Sequence, residues 1–164
     1  DLTHYFLTRG VADAAVALMD DRGREAASAT ADAEGRGTVT APRPGGYVLV
    51  ASADRHQPGV VAVRAEPGGG PVDVQLVRSS VVSGTVRDGV GAAVAATLDL
   101  LQDGELVASA TADAAGAYRF SDLAAGEYTI AAQAEGRGPR VLTVTLAEES
   151  AVEQDVVLPA GARL

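Results

Sequence analysis

"ASATADAEG" at Ala27–Gly35 and "ASATADAAG" at Ala108–Gly116 differ at one position and lie 81 residues apart. A repeat of this kind is settled first, because a missed period misassigns the whole architecture. At the same offset the match runs outward. Gly23 falls on Gly104, Gly45 on Gly126, Tyr47 on Tyr128, Ala51 on Ala132, Pro58 on Pro139, Val60 on Val141 and Val63 on Val144. Of the 56 positions from 10 to 65, 20 are identical, and 11 of these are not alanine. Alanine-rich composition therefore does not explain the match. A more visible echo, "AEGRG" at Ala33–Gly37 and Ala134–Gly138, is spaced by 101 residues, and its flanks do not match. The second copy's counterpart is instead Ala53–Gln57.

The register slips twice by one residue. Val16–Leu18 aligns best with Leu98–Leu100, and Val72-Asp73 with Gln154-Asp155. Single-residue changes in loop length do this at little cost. Each unit of about 80 residues is too long for a solenoid repeat and suits a small independent domain. The sequence predicts two domains, 1–79 and 80–164, joined without a free linker at Arg78-Ser79-Ser80.

Apolar residues alternate with period two. Tyr118 and Phe120, Tyr128 and Ile130, Leu98 and Leu100, and Leu142, Val144 and Leu146 mark half-buried strands. Gln102-Asp-Gly104, Asp113-Ala-Ala-Gly116 and Ala125-Gly126 supply turns between them. Predicted strands in the second unit are 81–87, 96–101, 105–112, 117–121, 126–134, 140–146 and 151–158. The first unit echoes them at 2–7, 14–19, 24–31, 37–41, 46–53, 59–65 and 71–78. Alanine favours helix, but the periodicity and the turn spacing oppose it. The fold class expected is all-β: two tandem seven-stranded antiparallel β-sandwiches of the Ig-like type.

The chain has 164 residues, 47% of them hydrophobic but only 4% aromatic, so each large side chain should matter to a core of small ones. It has no Cys, Lys, Asn or Trp, and a single isoleucine, Ile130. That pattern points to a GC-rich bacterial genome. Without Cys there is no disulfide or thiolate site. Without Lys there is neither a Schiff base nor a Lys–Asn isopeptide crosslink, and without Asn no N-glycosylation acceptor. Net charge is −9. Residues 1–79 hold ten acids against eight arginines, and residues 80–164 twelve against five. An acidic surface of this kind repels phosphate backbones, so nucleic acid is not an expected partner. No apolar run approaches the ~20 residues of a membrane span. The abrupt start at Asp1 is read as that of a fragment of a longer protein.

The second unit resembles the carboxypeptidase regulatory-like domain family, with its prealbumin-like (transthyretin-like) sandwich. "VVSGTVRD" (Val81–Asp88), "ATLDLLQDGELVASATADAAGAYRFSDLAAGEYTIAAQAEGRGPR" (Ala96–Arg140) and "VEQDVVL" (Val152–Leu158) carry the resemblance. The family's opening G-x-V is matched by Gly84 and Val86. Its T-D-x-x-G-x-Y/F-x-F hairpin is matched by Thr111, Asp113, Gly116, Tyr118 and Phe120, with Ala112 inserted between the usually adjacent Thr and Asp. Leu123, Gly126, Tyr128 and the Ala134–Gly136 loop follow. The first unit resembles the family more weakly. It keeps Asp32, Gly35, Gly45 and Tyr47, has Gly37 and Val39 in place of the aromatic pair, and opens with "LTHYFL" where G-x-V is expected. Tyr5 or Phe6 is expected to fill the core space so vacated. Asp113 is expected to cap its turn by accepting backbone N–H bonds, and Gly116 to adopt positive φ.

Candidate chemistry is thin. His4 and His56 have no repeat counterparts, and no G-x-S-x-G elbow is present. Transthyretin-related hydrolases share the fold but use a His/Arg set and a Tyr-Arg-Gly-Ser tail, whereas this chain ends "LPAGARL". Asp20-Asp21, Asp32 with Glu34, and Glu148-Glu149 offer carboxylates for Ca²⁺ without EF-hand spacing; they are read as turn caps and loop charge. The Gly-Arg-Gly runs 35–37 and 136–138 resemble anion nests but precede no helix, so they are read as loops. "LPAGA" at Leu158–Ala162 lacks a sortase threonine and is read as a strand end and turn. No catalytic, cofactor-binding or metal-binding residue is expected, and no cofactor.

The resemblance implies a non-catalytic structural or protein-interaction accessory region of a larger bacterial surface, secreted or membrane protein, a transporter being one case. Its partners would be the rest of the parent polypeptide or another protein, outside the cytoplasm or attached to a membrane protein. The alternative is a carbohydrate-binding sandwich, which the absence of Trp disfavours. A third reading is a subdomain that stabilises a catalytic neighbour.

Overall fold

The computed structural model describes residues 1–160, and they divide after Arg78 into two compact units. The first holds β1 (Thr3–Leu7), β2 (Ala15–Met19), β3 (Glu25–Thr30), β4 (Arg36–Thr40), β5 (Gly45–Ser52), β6 (Gly59–Ala65) and β7 (Val72–Asp73). The second holds β8 (Ser80–Arg87), β9 (Thr97–Gln102), β10 (Glu105–Thr111), β11 (Ala117–Leu123), β12 (Gly126–Gln133), β13 (Arg140–Leu146), β14 (Ala151–Glu153) and β15 (Val156–Val157). Among the described residues there is no helix. The fold is all-β, a sandwich in each unit.

In unit 1 a four-stranded sheet, β3-β2-β5-β6, faces a three-stranded one, β4-β1-β7. Unit 2 repeats the plan with β10-β9-β12-β13 facing β11-β8-β14, and β15 continuing beside β8. Each pair of sheets shares one buried cluster. Leu18, Leu49 and Val16 meet Phe6 and Val39 in the first. Leu98, Leu100 and Ile130 meet Val82, Tyr118 and Phe120 in the second. Each such side chain, fully buried, contributes about 1.5–3 kcal/mol of hydrophobic stabilisation.

The hairpin loops explain the first register slip. Met19 pairs with Glu25 across five residues, whereas Leu101 pairs with Leu106 across four. The bulges that follow, at Ala26 and Val107, again stand 81 residues apart.

The expectation of purely antiparallel sheets is corrected at the closing strand. β7 runs parallel to β1, and β14 and β15 run parallel to β8. After β6 or β13 the chain crosses to the other sheet instead of turning back in a hairpin, and a crossover permits parallel pairing. The last predicted strand is also broken, at Gln154-Asp155. There the Asp155 carboxylate accepts the Thr85 N–H at 2.9 Å, replacing a ladder carbonyl with a side-chain oxygen. The predicted strand 71–78 shortens to Val72–Asp73. Single bonds continue its path, Val74 N–H to Leu7 O at 2.9 Å and Gln57 N–H to Val77 O at 2.7 Å.

Two anchors recur at the period of the repeat. The Tyr47 hydroxyl donates to Arg43 O at 2.8 Å, and the Tyr128 hydroxyl to Ala124 O at 2.7 Å. Each pins the entry of the fifth strand in the manner of a tyrosine corner.

The first strands differ. Phe6 faces Gly37 across β1 and β4, whereas Gly84 faces Tyr118 across β8 and β11. One step along, His4 faces Val39, whereas Val82 faces Phe120. Large and small residues have exchanged strands at both pairs. Phe6, not Tyr5, fills the space: it is fully buried, and a Cβ on Gly37 would lie 2.4 Å from its ring. Tyr5 is 68% exposed.

Candidate functional site

The acidic groups most suggestive of a metal are held by backbone amides. Asp32 Oδ1 accepts N–H bonds from Glu34 and Arg36, and Asp113 Oδ1 from Ala115 and Ala117, each at 2.9 Å. Asp20 does the same for Arg22 and Arg24, and Asp88 for Val90 and Ala92. All four begin an Asp-x-x-Gly loop whose glycine has φ between +76° and +88°. A left-handed residue is needed there, and glycine adopts that conformation without strain. The backbone amides hold the Asp20, Asp32 and Asp88 carboxyls below the usual carboxylate range. No group of three or more His, Asp or Glu that could hold a metal is found among the described residues. Asp21 and Glu148 are exposed, and Glu149 sits in the turn after β13 with φ +53°.

The histidines belong to different elements. His4 lies in β1 with its ring buried. Its Nδ1 is 3.4 Å from Gly70 O, and its Nε2 has no hydrogen-bond partner among the described residues. His56 lies in the loop after β5, with Nδ1 2.8 Å from Asp54 O. The two Gly-Arg-Gly runs are equally unlike each other. Gly35 closes the Asp32 loop, and Gly37 lies on β4 under Phe6. Gly136 instead closes a turn from Ala134 O to Arg137 N at 3.1 Å, as His56 N does to Ala53 O at 3.1 Å. That common turn places Ala134–Gly138 on Ala53–Gln57. The Arg137 guanidinium then bonds Leu158 O at 3.2 Å and approaches Asp88 at 3.6 Å, tying the closing strand to the loop after β8. Leu158 is buried beside β8, and Gly161 and Ala162 of "LPAGA" lie outside the described residues.

One concave feature gathers charge, and sequence reading did not single it out. At one end of unit 1 the Asp20–Arg24 loop and the Pro42–Pro44 connection enclose a cleft floored by Gly45 and Gly46. Arg22, Arg24 and Arg43 line it together with Asp20 and Asp21. A shallower apolar depression shares Asp20, Asp21, Gly46 and Tyr47 with it and extends over Val48 and Ala62 to Arg64. None of these four guanidinium groups makes a hydrogen bond or ion pair among the described residues, whereas Arg9 pairs with Asp73 at 3.1 Å. The signal was available in the aligned units as a disagreement of charge at matched positions.

Residues 81–159 match the carboxypeptidase regulatory-like domain family. The second unit is similar to that family over nearly all of its length. No curated protein matches the chain significantly. Among solved structures, the minor pilin of Streptococcus agalactiae superposes with a TM-score of 0.55 at 11% identity, over 100% of this chain and 98% of that one. The shaft pilin SpaA of Lactobacillus rhamnosus GG gives 0.52 at 10% identity, over 99% and 98%. The Bacillus anthracis TIE protein gives 0.48 at 13% identity, over 96% of this chain but 34% of that one, so the chain spans about a third of its length. At these identities the likeness to the pilins is one of fold, and it extends across both units and not only the family-matched one.

Proposed function

We propose that this chain is a non-catalytic structural and protein-interaction region of a longer bacterial protein displayed outside the cytoplasm, either on the surface, secreted, or attached to a membrane protein such as a transporter. The observation that carries this reading is the full-length match of the tandem to two pilins. Chemistry inside each unit is consistent with it. Most of the large side chains serve the core, and Asp20, Asp32, Asp88 and Asp113 serve turns. Among the described residues no helix is long and apolar enough to cross a membrane, which leaves spanning by strands unaddressed.

Deletion of residues 1–164 from the parent protein tests the proposal. The parent's activity per molecule should persist, while its display at the cell surface or its assembly with partners falls. Loss of activity per molecule at unchanged abundance and display would overturn it. Carbohydrate recognition is less well supported, because Tyr47, Tyr118 and Tyr128 are buried and Tyr5 alone is exposed. A glycan array should show no saturable binding.

A further inference from the structure

The arginine-lined cleft at the end of unit 1 is not a requirement of the fold, because unit 2 builds the same place with the opposite charge. At the 81-residue offset Arg22 and Arg24 become Asp103 and Glu105, and Gly46 becomes Glu127. The remaining two, Arg43 and Arg64, become Ala124 and Thr145. The strand register confirms the equivalence, since Gly46 pairs with Arg64 as Glu127 pairs with Thr145. Four cations thus converge on one end of a unit in a chain whose net charge is −9.

Two features make the cleft receptive. Its floor is open, since a Cβ on Gly45 or Gly46 would meet nothing within 4 Å. Its two carboxylates, Asp20, which also accepts the amides of its own loop and feels the charge of Arg22 and Arg24, and Asp21, are outnumbered by the four guanidinium groups. Guanidinium groups present planar forks of donors that match carboxylate and phosphate oxygens in pairs. We infer that this cleft binds a multivalent oxyanion, coordinated by Arg22, Arg24 and Arg43 over the Gly45-Gly46 backbone, with Arg64 reaching it from β6.

Titration of the intact chain with pyrophosphate and, separately, with citrate tests the inference, read by ¹⁵N–¹H NMR at the arginine Nε–H groups and the backbone amides. Saturable shifts confined to Arg22, Arg24, Arg43, Arg64, Gly45 and Gly46 are expected. Tighter binding of pyrophosphate assigns the site to phosphate groups, and tighter binding of citrate assigns it to carboxylates. Gly46→Glu imports the residue that unit 2 carries at this position. It should weaken binding at least tenfold with the thermal midpoint unchanged. Arg43→Gln should weaken binding less. The inference is overturned if neither anion saturates, if Arg87, Arg119 and Arg140 shift equally, or if binding survives Gly46→Glu.

Discussion

The first strands of the two units solve one packing problem in opposite ways. Unit 2 places its bulk on β11, with Tyr118 and Phe120 opposite Gly84 and Val82. Unit 1 places it on β1, with Phe6 and His4 opposite Gly37 and Val39. The sum across each pair is roughly kept while the identity at each position is not. Cores tolerate exchange of this kind when volume and patterning are preserved. The two solutions are not equivalent in detail. A ring on β11 brings its hydroxyl to the closing strand, where Tyr118 donates to Gln154 O. A histidine on β1 brings a ring nitrogen into the core without a partner.

The largest expected effect lies outside the exchanged pairs and measures what they are compared against. Tyr128→Ala removes a buried ring and its anchor, and should cost about 3–5 kcal/mol. Hydrogen-exchange protection in unit 2 should fall by that amount, with unit 1 unchanged. A loss below about 1 kcal/mol would mean that the ring does not serve the core.

The glycines should respond unequally. A Cβ on Gly84 would lie 2.1 Å from Gln154 O, a backbone atom held by the closing strand, whereas the nearest atoms to one on Gly37 belong to the Phe6 ring, a side chain. Gly84→Ala should therefore cost at least the roughly 1–3 kcal/mol of an overpacked core and resist rescue by a second substitution. Gly37→Ala should be relieved by Phe6→Leu. Equal rescue at both glycines in chemical denaturation would contradict this account of the pairs.

Alkali should also separate the units. Burial, and then the neighbouring Asp155 charge, push the Tyr118 hydroxyl up to about 12. A group raised in the folded state contributes stability that is complete below its unfolded value of about 10 and is lost as pH rises through the folded one. Unit 2 should thus weaken between about pH 10 and 12, a loss that Tyr118→Phe diminishes. Unit 1 has Gly37 at this place and lacks this contribution. The smallest effect belongs to His4. His4→Leu removes the unpartnered Nε2 and should leave unit 1 unchanged or more stable by about 1 kcal/mol. Clear destabilisation in thermal melts would show that the ring nitrogen has a role its surroundings do not reveal.

Much of this was legible in the sequence, for stated reasons. Strand positions followed from alternation and turn residues, and fourteen of the structure's strands begin within one residue of the predicted starts. The Asp113 cap and the positive φ of Gly116 followed from the Asp-x-x-Gly pattern. The parallel closing strand was not legible, because strand direction is a property of the crossover and not of local pattern. Its break at Gln154-Asp155 depends on a carboxylate finding an amide 70 residues away. The exchange of Phe6 with Gly84 was half legible. The missing aromatics at Gly37 and Val39 were apparent, but the match of "LTHYFL" to G-x-V needed the cross-strand register. The arginine cleft was not legible in the identities between the units, because its signal lies in their differences, such as Arg22 against Asp103 and Arg24 against Glu105.

The central claim is that unit 1 is the same sandwich with its first-strand pair reversed. Installing unit 2's pair in unit 1 tests it directly, by combining Phe6→Gly with Gly37→Tyr and measuring stability by chemical denaturation with hydrogen exchange read in unit 1. Each single substitution should be destabilising, Phe6→Gly by at least the roughly 3 kcal/mol of an emptied aromatic site. The double variant should recover more than half of that loss. Strictly additive losses would contradict the account, because they would mean that Phe6 and Tyr118 do not fill the same space.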